Sequence, residues 1–204
     1  METINDYLEN ILCDFEDYIM KKPYLCDLKK MNFNSGNIPD YSNLHVQQLY
    51  LLRYTFAYAF EYKYMYLDLL NNNTYLTNLS VLSIGCGNAV DYWSLVKATN
   101  ENFFTKYNIT YCGIDIIDWN YKFKVRKKDS VCFRNFDVVE FIDTLPSLDP
   151  NIYIFPKSIS EFSYDEFEII CRNFETKNIT NDKIYLLISI RSDTYSMDCD
   201  LNRT

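Results

Sequence analysis

The chain has 204 residues, 48 % of them hydrophobic, which is enough apolar material for one full core. Lys and Arg total 20 against 28 Asp and Glu, so the formal charge is −8, which excludes a whole-protein electrostatic drive toward nucleic acid. No apolar run nears 18 residues, the start Met1-Glu2-Thr3-Ile4-Asn5-Asp6 lacks a hydrophobic signal core, and the seven cysteines contain no C-x-x-C pair; a cytoplasmic protein with reduced thiols and no membrane partner is expected.

In residues 3 to 20, Ile4, Leu8, Ile11, Leu12, Phe15, Tyr18 and Ile19 recur at helical spacing among carboxylates, which predicts an amphipathic helix. Residues 21 to 42 contain Pro23, Gly36 and Pro39 and read as an irregular connection. His45 is the only histidine, so histidine-based zinc sites are excluded. Ser42 or Asn43 is a candidate N-cap for a long helix that runs to about Leu70 and ends at Asn71-Asn72-Asn73-Thr74. Within it Tyr50, Tyr54, Tyr58, Tyr62 and Tyr66 recur every four residues, and Phe56, Phe60 and Tyr64 form a second row. So wide an apolar arc needs cover on more than one side. Core packing supplies that cover; a pocket wall would in addition give the tyrosine hydroxyls partners.

From Val81 onward strands alternate with helices. Strands are predicted near 80–85, 109–115, 130–136, 151–157 and 183–191, and helices over 90–98, 138–144 and 163–174. In 119–128, Trp119, Tyr121, Phe123 and Val125 alternate with polar residues, which favours extended structure over a short helix. The pattern is that of an α/β protein with a doubly wound, mostly parallel sheet. It divides the chain into a helical extension, 1–75, packed on a core formed by 76–204.

The chain spends only four glycines, and two stand in Val81-Leu82-Ser83-Ile84-Gly85-Cys86-Gly87-Asn88-Ala89-Val90-Asp91. A third, Gly113, precedes Ile114-Asp115 at the end of the next strand. An apolar strand, a tight Gly-x-Gly turn and a helix form the layout in which a ligand approaches the backbone at a helix N-terminus. This pair of features, within about Leu79 to Ser192, resembles the class I S-adenosylmethionine-dependent methyltransferases. Gly85 and Gly87 match the first two glycines of that family's first motif, and Asp115 matches its acidic residue closing the second strand. Ser83 departs from a usual acidic residue, and Ala89 replaces the third glycine. Asp115 lies 28 residues after Gly87, against roughly 20 in the dinucleotide fingerprint, the extra length falling at 99–107.

The resemblance implies a Rossmann-like fold with S-adenosyl-L-methionine as cofactor. It implies that Gly85, Cys86 and Gly87 wrap the amino-acid end and that Asp115 binds the ribose hydroxyls. Asp137 would contact the adenine amino group, with Ile116 and Val138 on either face of the ring; the plain alternative for Asp115 and Asp137 is strand ending and helix capping. Ligands of open α/β sheets bind beyond the carboxyl ends of the strands, so Lys157, Ser158 and Glu161, after the fourth strand, are candidates to orient or deprotonate an acceptor. A solvated loop charge and a turn serine are the plain readings of the first two. The Asn/Asp-Pro-Pro-aromatic motif of many amino-group methyltransferases is absent, which argues against exocyclic base amines as acceptors. Cys86 has no histidine to activate it beyond the solitary His45 and is not read as a nucleophile.

The expected function is therefore methyl transfer from S-adenosylmethionine to an acceptor, with a small molecule favoured. An RNA methyltransferase is an alternative, since Lys122, Lys124, Arg126, Lys127 and Lys128 interleave with aromatics; a solvated face is the plainer reading of that cluster. A non-catalytic methyltransferase-like interaction module is the other. The family sheet has seven strands, whereas about a dozen residues follow the fifth strand here, so a sheet shortened after that strand is expected. Its exposed edge would favour a homo-oligomer.

Overall fold

A computed structural model describes residues 2–21, 40–102, 104–178 and 181–190. The connection read over 21–42 falls mostly outside these residues, as do Arg191 and everything after it. The first helix, α1 (Ile4–Lys21), opens on a reciprocal cap. The Thr3 hydroxyl accepts from the Asp6 N–H at 3.1 Å, and the Asp6 carboxylate accepts from the Thr3 N–H at 3.1 Å. Helix α2 (Leu44–Asn72) has Asn43 as its N-cap, the side chain accepting from the His45 N–H at 2.9 Å.

The α/β region follows in the expected alternation: β1 (Asn78–Ile84), α3 (Val90–Glu101), β2 (Asn108–Asp115), β3 (Ser130–Asn135), α4 (Val138–Thr144), β4 (Ile152–Pro156), a 3₁₀ turn (Ile159–Glu161), α5 (Tyr164–Lys177) and β5 (Tyr185–Ser189). The five strands form one parallel sheet in the order β3-β2-β1-β4-β5. The chain builds outward from β1 to β3, then crosses to β4 on the other side of β1. The order thus reverses between β1 and β4, and that reversal opens a crevice at the strands' carboxyl ends. This is the Rossmann-like doubly wound fold.

Alternation along β1 splits the core in two. Val81 faces a cluster with Tyr66, Leu69 and Leu70 of α2 and Leu95 of α3. Leu82 and Ile84 face the opposite side, with Ile142 of α4 and Ile170 of α5. Helix α2 therefore shares the main core, whereas Ile4, Tyr7 and Ile11 of α1 pack in a separate cluster with Val90 and Trp93 of α3. Segment 119–128 forms neither helix nor ladder. Its alternation survives only in part as burial: Trp119 and Phe123 are buried and the Phe123 ring stacks on Tyr7 of α1 at 3.9 Å, whereas Val125 is exposed.

Candidate functional site

The carboxyl ends of the strands surround a cavity of about 370 Å³. Its floor is the loop after β1. Gly85 and Gly87 have φ of 71° and 55°, the left-handed region that a glycine occupies without strain. The two serve different ends. A Cβ on Gly85 would sit 2.5 Å from the Ser158 Cβ, so this glycine admits the loop that follows β4. A Cβ on Gly87 would meet only the Trp119 ring, at 3.8 Å, so the space before Gly87 is open. Ala89 continues the turn at φ 62° despite its side chain and starts α3. Cys86 also lines the cavity. Burial, with Asp115 and Asp91 nearby, pushes its thiol well above the ordinary range, which fits a packing residue.

Asp115 ends β2 and fixes this loop. One carboxylate oxygen accepts the Gly87 N–H at 2.8 Å and the other accepts the Ile117 N–H at 2.8 Å. Burial pushes the carboxyl up, and these two N–H groups pull it back. The Trp119 indole N–H lies near enough to lower it further without completing a hydrogen bond. Each oxygen of a carboxylate has two lone pairs, so a backbone clamp leaves acceptor capacity toward the cavity that Asp115 lines.

Asp137 takes the helix-cap role, and both of its bonds to backbone, from the N–H groups of Val139 and Glu140, go to one oxygen. It lines the cavity as well, with Ile116 and Val138. Ile116 is 68 % exposed, whereas Val138 is buried in the core. Phe136, at 46 % exposed, joins this apolar lip; sequence reasoning passed over it because it ends a strand without a motif.

The residues after β4 also line the cavity, but their side chains are engaged. The Lys157 ammonium donates to Glu61 of α2 at 2.7 Å and to the Ile190 carbonyl, and Ser189 donates to the same Glu61 oxygen at 2.5 Å. Ser158 donates to the Ile84 carbonyl at 2.5 Å. Lys157 and Ser158 thus tie α2, β1 and β5 to the end of β4, and neither is a solvated loop group. Glu161 reaches the cavity from the 3₁₀ turn.

Tyr50, Thr55, Tyr58 and Tyr62 of α2 form the wall opposite the glycine loop, together with Tyr41 and Trp119. The four-residue tyrosine period thus serves both readings, since Tyr66 is fully buried in the core. Contacts from α1 hold the floor from behind. The Asn88 amide donates to the Tyr7 hydroxyl at 2.9 Å, and that hydroxyl donates to the Tyr121 carbonyl at 2.7 Å. Ser83 is fully buried and is not among the cavity's residues. In the basic cluster, Lys122 pairs with Asp118, Lys124 with Glu2 and Arg126 with Asp129.

No family model and no curated protein sequence matches the chain. The solved structures it is similar to are S-adenosylmethionine-dependent methyltransferases. One is such an enzyme from Archaeoglobus fulgidus, at 18 % identity and TM-score 0.43, with 72 % of this chain and 63 % of that one covered. Another is the plantazolicin methyltransferase BpumL in complex with a monoazolic desmethylPZN analogue and S-adenosylhomocysteine, at 15 % identity and TM-score 0.49, covering 98 % of this chain and 66 % of that one. A third is the mitomycin 7-O-methyltransferase MmcR, at 11 % identity and TM-score 0.39, covering 81 % and 60 %. The chain spans less than two thirds of the length of each.

Proposed function

We propose that the cavity binds S-adenosyl-L-methionine and that the protein transfers its methyl group to a small acceptor. The observation that carries the reading is the Asp115 clamp. A carboxylate at the end of β2 holds the Gly87 N–H, beside the crevice at the strand-order reversal. The fit is physical. The open space before Gly87 admits a ligand close to backbone. Asp115 retains acceptor capacity suited to a ribose diol. Ile116, Phe136 and Val138 offer an apolar seat for adenine, with Asp137 at its edge. The loop of Gly85, Cys86 and Gly87 would hold the amino-acid end. When bound, the sulfonium supplies the activation, so the protein's own task is positioning and exclusion of water.

A small acceptor is favoured over RNA for two reasons. The cavity is walled by α2, and three residues of the basic cluster at 122–128 pair with acidic partners. Among the described residues no helix is long and apolar enough to cross a membrane. The homo-oligomer through a sheet edge is retained as a proposal. β5 is an outer strand of the described sheet, and Leu186 in it is half exposed. Sedimentation velocity reads that state directly.

Isothermal titration with S-adenosylmethionine, S-adenosylhomocysteine and NAD tests the main reading. Saturable binding of the first two and none of NAD is expected. Preference for NAD would replace the reading with a dinucleotide site. Binding without methyl transfer to any of a broad acceptor panel would favour the interaction-module alternative.

A further inference from the structure

One fully buried ionisable side chain stands just behind the cavity. Asp91, in the first turn of α3, has no exposed surface and is not among the cavity's residues. Its support consists of dipoles. The Ser83 hydroxyl lies near enough to favour its charge without completing a hydrogen bond. The Tyr111 hydroxyl spans both carboxylate oxygens, at 3.0 and 2.9 Å. The backbone N–H groups of Asp91 and Tyr92, at the start of the helix, act in the same sense. Among the described residues no lysine or arginine pairs with it. Burial pushes its carboxyl up to about 6, and the dipoles keep it from rising further. At pH 7.5 the interior therefore holds a carboxylate with no cation beside it, which is a costly arrangement.

The neighbours of Asp91 form the cavity surface. Val90 precedes it in the chain and lines the cavity, as do Cys86 and Tyr62. Burial raises the Cys86 thiol and the Tyr62 hydroxyl, and Asp91 is among the charges that add to the rise in both. Tyr66 of α2 and Tyr111 of β2 also face it, and each is raised chiefly by burial. These neighbours, from α2, the loop after β1 and β2, are therefore all neutral at pH 7.5. A neutral, water-free wall screens a charge far less than water does, so the field of the carboxylate reaches the cavity.

We infer that Asp91 is a specificity-determining charge of the cavity, favouring through the wall a ligand with a positive charge over a neutral one of the same shape. The inference rests on the reading given under Proposed function, in which the pair is the sulfonium of S-adenosylmethionine and the thioether of S-adenosylhomocysteine. Asp91 would thus hold the methyl donor more firmly than the spent cofactor. It touches neither ligand, so its part is selection and not chemistry.

Isothermal titration of the intact protein with both ligands at pH 5 and pH 7.5 gives the ratio of the two affinities. The ligands differ by one methyl group and one charge, and the sulfonium charge does not change with pH. Between pH 7.5 and pH 5, as Asp91 takes up its proton, the ratio is expected to move about fivefold toward S-adenosylhomocysteine. In Asp91→Asn the ratio at pH 7.5 should already equal the parent's ratio at pH 5 and should no longer respond to pH. A purely structural role would weaken both ligands alike and leave the ratio where it was. A parent ratio that does not move with pH would overturn the inference without recourse to any variant. A pH response that persists in Asp91→Asn would overturn it too, and would assign the response to a carboxylate of the lining such as Asp115. In both cases binding of S-adenosylmethionine stands. If neither ligand binds, the reading under Proposed function falls and this inference with it.

Discussion

Asp115 has two jobs that a single substitution separates. Its carboxylate bridges the Gly87 and Ile117 N–H groups, and it faces the cavity. Asp115→Ala strands two part-buried donors, each costing about 1 kcal/mol, the low end for an unmet buried donor. The variant is expected to lose stability on the order of 2 kcal/mol in urea titration and at least tenfold in affinity for S-adenosylhomocysteine. Asp115→Asn keeps one carbonyl oxygen for the clamp, so it should recover part of the stability but little of the affinity. Unchanged affinity in the alanine variant would dismiss Asp115 as a ligand contact. Asp91 carries a different lesson at the same scale. It is fully buried at the start of α3 and accepts from the Tyr111 hydroxyl at 2.9 Å. Burial still prevails and pushes its carboxyl up to about 6. The folded state therefore holds this proton more tightly than the unfolded chain, whose Asp titrates near 3.9. The sign follows: between about pH 4 and 6 its contribution to stability falls as pH rises, because a buried carboxylate must form. Asp91→Asn is expected to be more stable than the parent above pH 7, on the order of 3 kcal/mol, with the gap closing below pH 4. Urea unfolding at pH 4, 5.5 and 7.5 checks it, and a gap that widens toward acid would contradict it.

Among the elements, α1 acts on the site without lining it. Its Tyr7 hydroxyl receives the Asn88 amide and donates to the Tyr121 carbonyl, joining the loop after β1 to the segment after β2. Tyr7→Phe leaves the ring stacked on Phe123 but strands the buried Asn88 amide. A loss of about 1–3 kcal/mol in stability is expected. Binding of S-adenosylhomocysteine should weaken with it, because the floor of the cavity is freed. A variant as stable and as tight-binding as the parent would show that the loop holds its shape unaided. The sequence foretells this division of labour in part. Apolar runs locate all five strands to within about two residues, and 138–144 is found as predicted, because each pattern is local. Asn43 is legible as an N-cap for the same reason. The Gly85-Cys86-Gly87 turn and Asp115 are legible because their chemistry narrows the choice of residue. What escapes is what depends on distant segments meeting. The Asn88–Tyr7 bond spans 81 positions, and the Lys157–Glu61 pair spans 96. Nothing local at Lys157 or Ser158 says that the side chain is engaged by another element. Asp137 is the intermediate case: capping and a place in the cavity are both written at one position, and only the fold shows that it does the first while keeping the second open.

At the scale of the molecule, the helical extension and the sheet domain are best treated as one folding unit. Helix α3 makes the case. Val90 through Val96 are all buried, and Ala98 and Thr99 with them, so this helix is covered nearly all round. A helix of that kind needs a second layer outside it. The layer is α2: Ala59 and Tyr62 pack with Val90 and Trp93, and the Ser94 hydroxyl donates to the Ala59 carbonyl at 2.8 Å in the interior. Further along, Tyr66, Leu69 and Leu70 sit at 7 % exposure or less in the same cluster as Val81 and Leu95. Each such side chain contributes roughly 1.5–3 kcal/mol when buried, and a domain's whole margin is about 5–15 kcal/mol. Removing α2 therefore takes away more than the margin. The fragment 76–204 is expected to keep part of its far-ultraviolet circular dichroism, to lose its near-ultraviolet signal and to unfold without a cooperative transition. The full chain should unfold in a single transition. A fragment that unfolds cooperatively in urea, with the slope its size demands, would show that the sheet domain stands alone and that the tyrosine helix serves only the cavity wall.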